Sequence, residues 1–202
     1  MRKAIALATA VACAGCGSTT PTKETITGYS IYDIKGPAIS PAAVAQVVTA
    51  GLKKGSSGIQ VTQNLPPYPV PDAPGRFTLV NPLGNSNLAA LIAAQGGAIT
   101  VPKCDGAFVI GVAQNSAMKE YGENTQFHVC LWQYAGGYHL DFYTRFDRQS
   151  GGFSAKTLAA TLMRPLMGDS SQFIPRTIGN VTGEIEKLGL TPTLVDSYPS
   201  QS

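Results

Sequence analysis

Charged side chains are scarce in this chain: they make up 13% of its 202 residues, and only two histidines occur. Nucleic-acid binding needs a basic patch and attraction to anionic lipid needs a polybasic run, and the sequence contains neither. After residue 16 there is no Cys-x-x-Cys pair or Cys/His cluster that would hold zinc, and no GxSxG, HExxH or Walker motif. We therefore predict no nucleic-acid partner, no metal and no cofactor, and the motifs name no catalytic residue.

The first residues have the order of a bacterial export signal. Arg2 and Lys3 precede an apolar run from Ala4 to Ala14, and small residues stand directly before Cys16. The run is well below the ~20 residues that cross a bilayer as a helix, and no later stretch is long and apolar enough to do so. We expect residues 1–15 to be removed as a signal peptide.

The end of this leader, Ala14-Gly15-Cys16, resembles the lipobox of bacterial lipoproteins, in which signal peptidase II frees a lipid-bearing cysteine. The resemblance implies that Cys16 carries fatty acid, palmitate included, and that the polar residues 16–24 tether a domain to a membrane. It also implies the periplasm, and the outer membrane rather than the inner, because Gly17 is not the Asp of an inner-membrane retention signal. A frame ending at Cys13 and an ordinary cleaved signal peptide are the alternatives.

The mature chain is predicted to be nearly neutral and to form one domain over residues 25–202. Removal of two basic residues with the leader leaves 13 basic and 12 acidic residues, a formal charge of +1. The whole sequence is 44% apolar, which is enough for a single core. Of its cysteines, Cys104 and Cys130 remain unmodified, and two thiols in an oxidising compartment usually pair. We predict a disulfide between them, with two buried free thiols as the alternative.

Hydrophobic periodicity predicts six strands and four helices in the order β-α-β-β-α-β-β-β-α-α. The predicted strands cover residues 25–34, 59–62, 76–81, 107–113, 126–134 and 138–147. The predicted helices follow Ser40-Pro41, cover 85–95, begin at Ser154, and run from 171 or 175 to Leu188. Helices interspersed with hairpins indicate an α+β fold, a mostly antiparallel sheet covered by helices on one face, with a doubly wound α/β fold as the alternative.

The strongest local signal is Gly136-Gly137 between two alternating strands, which predicts a two-residue hairpin turn. That turn pairs Trp132 with Asp141 and Cys130 with Tyr143. The pattern then gathers the apolar side chains of both strands on one face of the hairpin. The opposite face displays His128, Cys130, Trp132, Tyr134, His139, Asp141, Tyr143 and Arg145.

This second face of the hairpin has two interpretations. As a recognition surface, its rings would provide contact area while Asp141 and Arg145 orient a partner by hydrogen bonds. As a packing layer, it would lie under the proline-rich loop 65–75 and be tied down by a disulfide from Cys104 to Cys130.

Two functional hypotheses follow from that face. The first is a non-enzymatic, lipid-anchored module of the cell envelope that binds a protein or envelope polymer. The alternative is a lipid-anchored hydrolase, because His139 and Asp141 project from the same side of one strand and such a pair can begin acid–base chemistry. A hydrolase should show a concave cleft that contains both residues, whereas a binding module should show a flat aromatic patch.

Overall fold

The computed structural model describes residues 22–55, 58–94, 100–115, 124–150 and 173–199. Within these ranges the chain forms eight strands and three helices. In chain order they are β1 (Thr22–Lys35), α1 (Pro41–Gly55), β2 (Gly58–Gln63), β3 (Thr78–Val80), α2 (Asn87–Ala94), β4 (Val101–Lys103), β5 (Val109–Asn115), β6 (Asn124–Tyr134), β7 (Gly137–Ser150), α3 (Phe173–Glu186) and β8 (Thr191–Tyr198). The helix predicted to begin at Ser154 lies outside the described residues.

Six of the strands form one sheet in the order β2-β5-β6-β7-β1-β8, and every neighbouring pair is antiparallel. Strands β3 and β4 form a separate two-stranded ladder. The predicted α+β fold is confirmed. The doubly wound alternative is wrong, because hairpin pairing rather than helical crossover connects the central strands.

Helix α1 packs on one face of this sheet, as its apolar spacing predicted. Ser40 caps the helix, since its Oγ accepts a hydrogen bond from the backbone N–H of Ala43 at 3.3 Å. Val44, Val48 and Leu52 are fully buried in the core. Burial of each such side chain contributes about 1.5–3 kcal/mol, so this stripe fixes the helix on the sheet.

Helix α3 lies beside α1 on the same face. Val181 and Ile185 are fully buried there, and the chain leaves the helix through a turn that ends at Gly189, which has a φ of +77°. The two helices approach closely at Gly51, where a Cβ atom would lie 2.6 Å from the Cα of Val181. Only glycine allows that contact, so the helix pair covers this face without a gap at Gly51.

Two strands were not predicted, and the predicted boundary between the tether and the domain moves. Strand β8 pairs with β1 at one edge of the sheet, where Pro192 is tolerated because an edge residue needs only one set of ladder bonds. Strand β4 is three residues long and contains Pro102. Strand β1 begins at Thr22, so three residues assigned to the tether belong to the sheet.

Candidate functional site on the second face of the sheet

The β6–β7 hairpin places the predicted residues on one face, but by a different turn. Tyr134 pairs with Gly137, so Ala135 and Gly136 form the loop, and Trp132 lies opposite His139 rather than Asp141. The predicted Gly136-Gly137 turn is therefore wrong by one residue. Each pairing shifts by two residues, which leaves every side chain on its predicted face.

Gly137 lies outside the hairpin loop, and its position is one that strand β1 approaches closely. It has a φ of +136°, and a Cβ atom at this position would lie 2.3 Å from the carbonyl oxygen of Ile34 in the neighbouring strand β1. The close approach of β1 therefore requires a glycine at position 137, whereas the sequence pattern attributed this glycine to the hairpin turn.

Most of this second face is buried. Trp132 is 3% exposed and Asp141 is 1% exposed, and both His139 and Tyr143 are buried with them. The remaining candidates are half-buried: His128, Tyr134 and Arg145. The interpretation as an open recognition surface is therefore wrong for the four buried side chains, and the packing-layer alternative holds.

Residues 64–77, which we call the covering loop, lie over this face. The backbone N–H of Ala135 donates to the carbonyl oxygen of Pro71 at 2.8 Å. Gly75 is pressed against the indole of Trp132, where a Cβ atom would come within 2.4 Å of the ring. The ring of Phe77 packs against Tyr143 with 5.6 Å between centroids. The loop is thereby fixed near the middle and at its C-terminal end.

The predicted disulfide between Cys104 and Cys130 is confirmed, with 6.0 Å between the two Cα atoms. It joins residues 104–107 to the second face, in a small buried cluster with Trp132. The indole Nε1–H of Trp132 donates to the carbonyl oxygen of Asp105 at 2.8 Å, so the ring has both apolar contact and a satisfied polar atom.

The start of the covering loop is held by the same segment. The backbone N–H of Asn64 donates to the carbonyl oxygen of Phe108 at 2.8 Å, and its side-chain amide donates to the carbonyl oxygen of Ala107 at 3.1 Å. The covering loop is therefore attached at both ends, and the disulfide supports the segment to which its first residue binds.

His139 and Asp141 lie together beneath the covering loop. Nε2 of His139 is 3.3 Å from Oδ1 of Asp141, and Oδ2 of Asp141 accepts a hydrogen bond from the backbone N–H of Phe77 at 3.0 Å. Burial raises the pKa of Asp141 from 3.8 to about 6, and burial lowers the pKa of His139 below its usual value. The carboxylate therefore fastens the end of the covering loop.

Both side chains of this pair are buried beneath the covering loop, His139 at 5% exposure and Asp141 at 1%. Two surface cavities, of about 310 and 280 Å³, lie elsewhere, and neither is lined by His139 or Asp141. Among the described residues no group of three or more His, Cys, Asp or Glu side chains could hold a metal ion. The geometry thus supports a structural role for the pair.

The outer side of the covering loop carries the exposed side chains that sequence analysis missed. Leu65 is 92% exposed and Tyr68 is 98% exposed. At the other end, Arg76 forms an ion pair with Asp196 of β8, with 2.9 Å between Nη2 and Oδ2. The five prolines between 65 and 75 predicted an extended loop, but nothing in the sequence showed which side chains would face solvent.

Comparisons with protein-family models, with curated proteins and with solved structures found no match to this chain. In the described ranges no helix has the length and hydrophobicity needed to cross a membrane.

Proposed function

We propose that this chain is a lipid-anchored protein of the bacterial cell envelope, facing the periplasm, whose domain binds a protein partner through the covering loop. The leader and the Ala14-Gly15-Cys16 sequence support the anchor. The confirmed disulfide supports an oxidising compartment, because such bonds persist outside the reducing cytosol. Gly17 favours the outer membrane over the inner one.

The observation that carries the binding proposal is the exposure of Leu65 and Tyr68 on a loop whose backbone is fastened. Prolines fix φ along this segment, and the contacts to Ala135 and Asp141 hold it against the sheet. A partner that binds such a preorganised loop loses little conformational entropy. Tyrosine is also among the residues that contribute most at protein interfaces.

Substitution of Tyr68 tests the binding site. A partner is first captured from envelope extract with the full-length lipoprotein and identified, and its affinity is then measured directly. Tyr68→Ala should weaken binding by about 2 kcal/mol, or about thirtyfold in Kd, while the melting temperature stays unchanged because the ring contributes little to the fold. Val195→Ala, on the exposed edge strand β8, is the matched control and should leave Kd unchanged. Equal affinities of the Tyr68 variant and the parent protein would contradict the proposal, and capture of an envelope polymer alone would replace it.

Membrane attachment is tested at Cys16. Cys16→Ser should abolish both the incorporation of labelled fatty acid and the cleavage of the leader by signal peptidase II. Cys13→Ser is the control, and it should be acylated normally if the lipobox ends at Cys16. Unchanged labelling of the Cys16 variant would disprove this anchor site, and recovery of the protein only in inner-membrane fractions would contradict the outer-membrane assignment.

A further inference from the structure

Residues 78–103 lie between the covering loop and Cys104, and we call this segment the excursion. Its two ends pair with each other and form its base. Thr78 pairs with Lys103, and Val80 pairs with Val101, in the β3–β4 ladder. Helix α2 lies within this excursion, and none of its residues is buried. The helix therefore lies outside the core, and the base of the excursion continues directly into Cys104, which the disulfide joins to the sheet.

Helix α2 directs its largest apolar side chains toward solvent. Leu88 is 53% exposed and Leu91 is 57% exposed, whereas Ala89 and Ile92 are half-buried. Leu88 and Leu91 are three residues apart, so they share one side of the helix. No charged residue occurs anywhere from 77 to 102. A contiguous exposed apolar surface is typical of sites that contact a partner or a membrane.

The composition of the excursion favours lipid over protein as its partner. Protein interfaces are enriched in aromatic residues, methionine and arginine, and residues 78–94 contain none of these. Interfacial binding grows with the apolar area that a helix buries, and a helix beside an acyl anchor would supply a second attachment to the same bilayer. We propose that α2 lies in the interface of the bilayer to which Cys16 is attached, with Leu88 and Leu91 among the acyl chains.

The distances along the chain allow this placement, which rests on the proposed lipid anchor. Six residue steps separate Cys16 from Thr22, the start of β1, so covalent geometry allows the tether to span at most about 21 Å. Phe77, next to the excursion, packs against Tyr29 with 5.9 Å between ring centroids. Tyr29 is seven residues along β1 from Thr22, or about 23 Å. The base of the excursion and the acylated Cys16 can therefore lie at the surface of the same bilayer.

A site-specific label tests the contact in the mature, acylated protein reconstituted in phosphatidylcholine vesicles. Leu91→Cys is labelled with an environment-sensitive fluorophore, and the vesicles contain a lipid with a nitroxide quencher near its headgroup. The emission should shift to shorter wavelength and be quenched. Gln46→Cys, exposed on α1 at the opposite face of the sheet, is the control and should keep an aqueous spectrum. Leu88→Cys repeats the test if the Leu91 variant does not fold.

The labelling experiment has three outcomes that separate the α2 placement from the lipid anchor. An aqueous label at position 91 in protein that mass spectrometry shows to be acylated overturns the α2 inference and leaves the anchor intact. A quenched label in protein without fatty acid at Cys16 refutes the anchor and shows that α2 contacts lipid without it, which overturns the dependence of the α2 placement on Cys16. Energy transfer between labelled copies without quenching by lipid means that a second copy covers α2, which also overturns the inference.

Discussion

The two faces of the sheet are covered in different ways. On one face α1 and α3 pack through a continuous cluster of aliphatic and aromatic side chains. On the other, the covering loop is held by a few discrete contacts: the indole of Trp132, the Cys104–Cys130 disulfide, and the buried carboxylate of Asp141. A layer held in this way leaves its outer side free to present exposed residues, and each contact can be removed separately.

The largest effect is expected from Trp132→Ala. Loss of a buried indole should lower the free energy of unfolding by about 3–5 kcal/mol, and the hydrogen bond to Asp105 is lost with it. Chemical denaturation measures the change. Hydrogen exchange should also accelerate at the backbone amides of Phe77 and Ala135, which hold the covering loop.

Phe142→Ala is the control for that experiment, because it removes a fully buried ring from the helix-covered face. Its cost should be of similar size, about 3–5 kcal/mol, but the amides of the covering loop should exchange only by global unfolding. If both variants give the same exchange pattern, the two layers are not independent, and the comparison between the faces fails.

Removal of the disulfide should have the next largest effect. Cys104 and Cys130 are 26 residues apart, and release of such a loop in the unfolded chain costs about 2–4 kcal/mol. The paired change Cys104→Ala with Cys130→Ala should therefore lower the midpoint of urea unfolding. Reduction of the parent protein is the independent check, and an unchanged midpoint in both would show that the covering layer does not depend on the bond.

The smallest effect on stability, and one that depends on pH, is expected from Asp141→Asn. The raised pKa means that protonated Asp141 favours the folded state below pH 3.8, and that this contribution is lost as the pH rises through about 6. Ionised Asp141 then costs the fold roughly 2–3 kcal/mol at pH 8. Asparagine keeps an oxygen that can accept the Phe77 N–H, so the variant should be more stable than the parent at pH 8 and equal to it near pH 4.

Neighbouring charges must be considered in that comparison. Arg76, Asp196, Asp33 and Lys35 act electrostatically on the buried pair, and all four are present in both proteins. His139 has a lowered pKa, so its contribution has the opposite sign and is lost as the pH falls below its unfolded value. The difference between variant and parent reports Asp141 together with its contact to His139, and a difference that does not change from pH 4 to pH 8 would contradict the assignment.

The helix-covered layer could be predicted from sequence, whereas the covering layer could be predicted only in part. Val44, Val48 and Leu52 repeat with helical spacing, so pattern alone finds their buried face. Leu65 and Tyr68 have no such signal, because a proline-rich segment has no periodicity that relates sequence to exposure. Strand β8 was missed for a similar reason: only tertiary pairing with β1 makes it a strand.

The indole beneath the covering loop is also the only tryptophan in the chain. Its ultraviolet emission therefore comes from one known place, between Gly75 of the covering loop and the carbonyl oxygen of Asp105. Water that reaches the ring when the covering loop lifts would move that emission to longer wavelength, while the helix-covered face contributes no tryptophan signal. The protein thus contains a built-in optical probe that reports opening of this layer separately from unfolding of the helices, without any label.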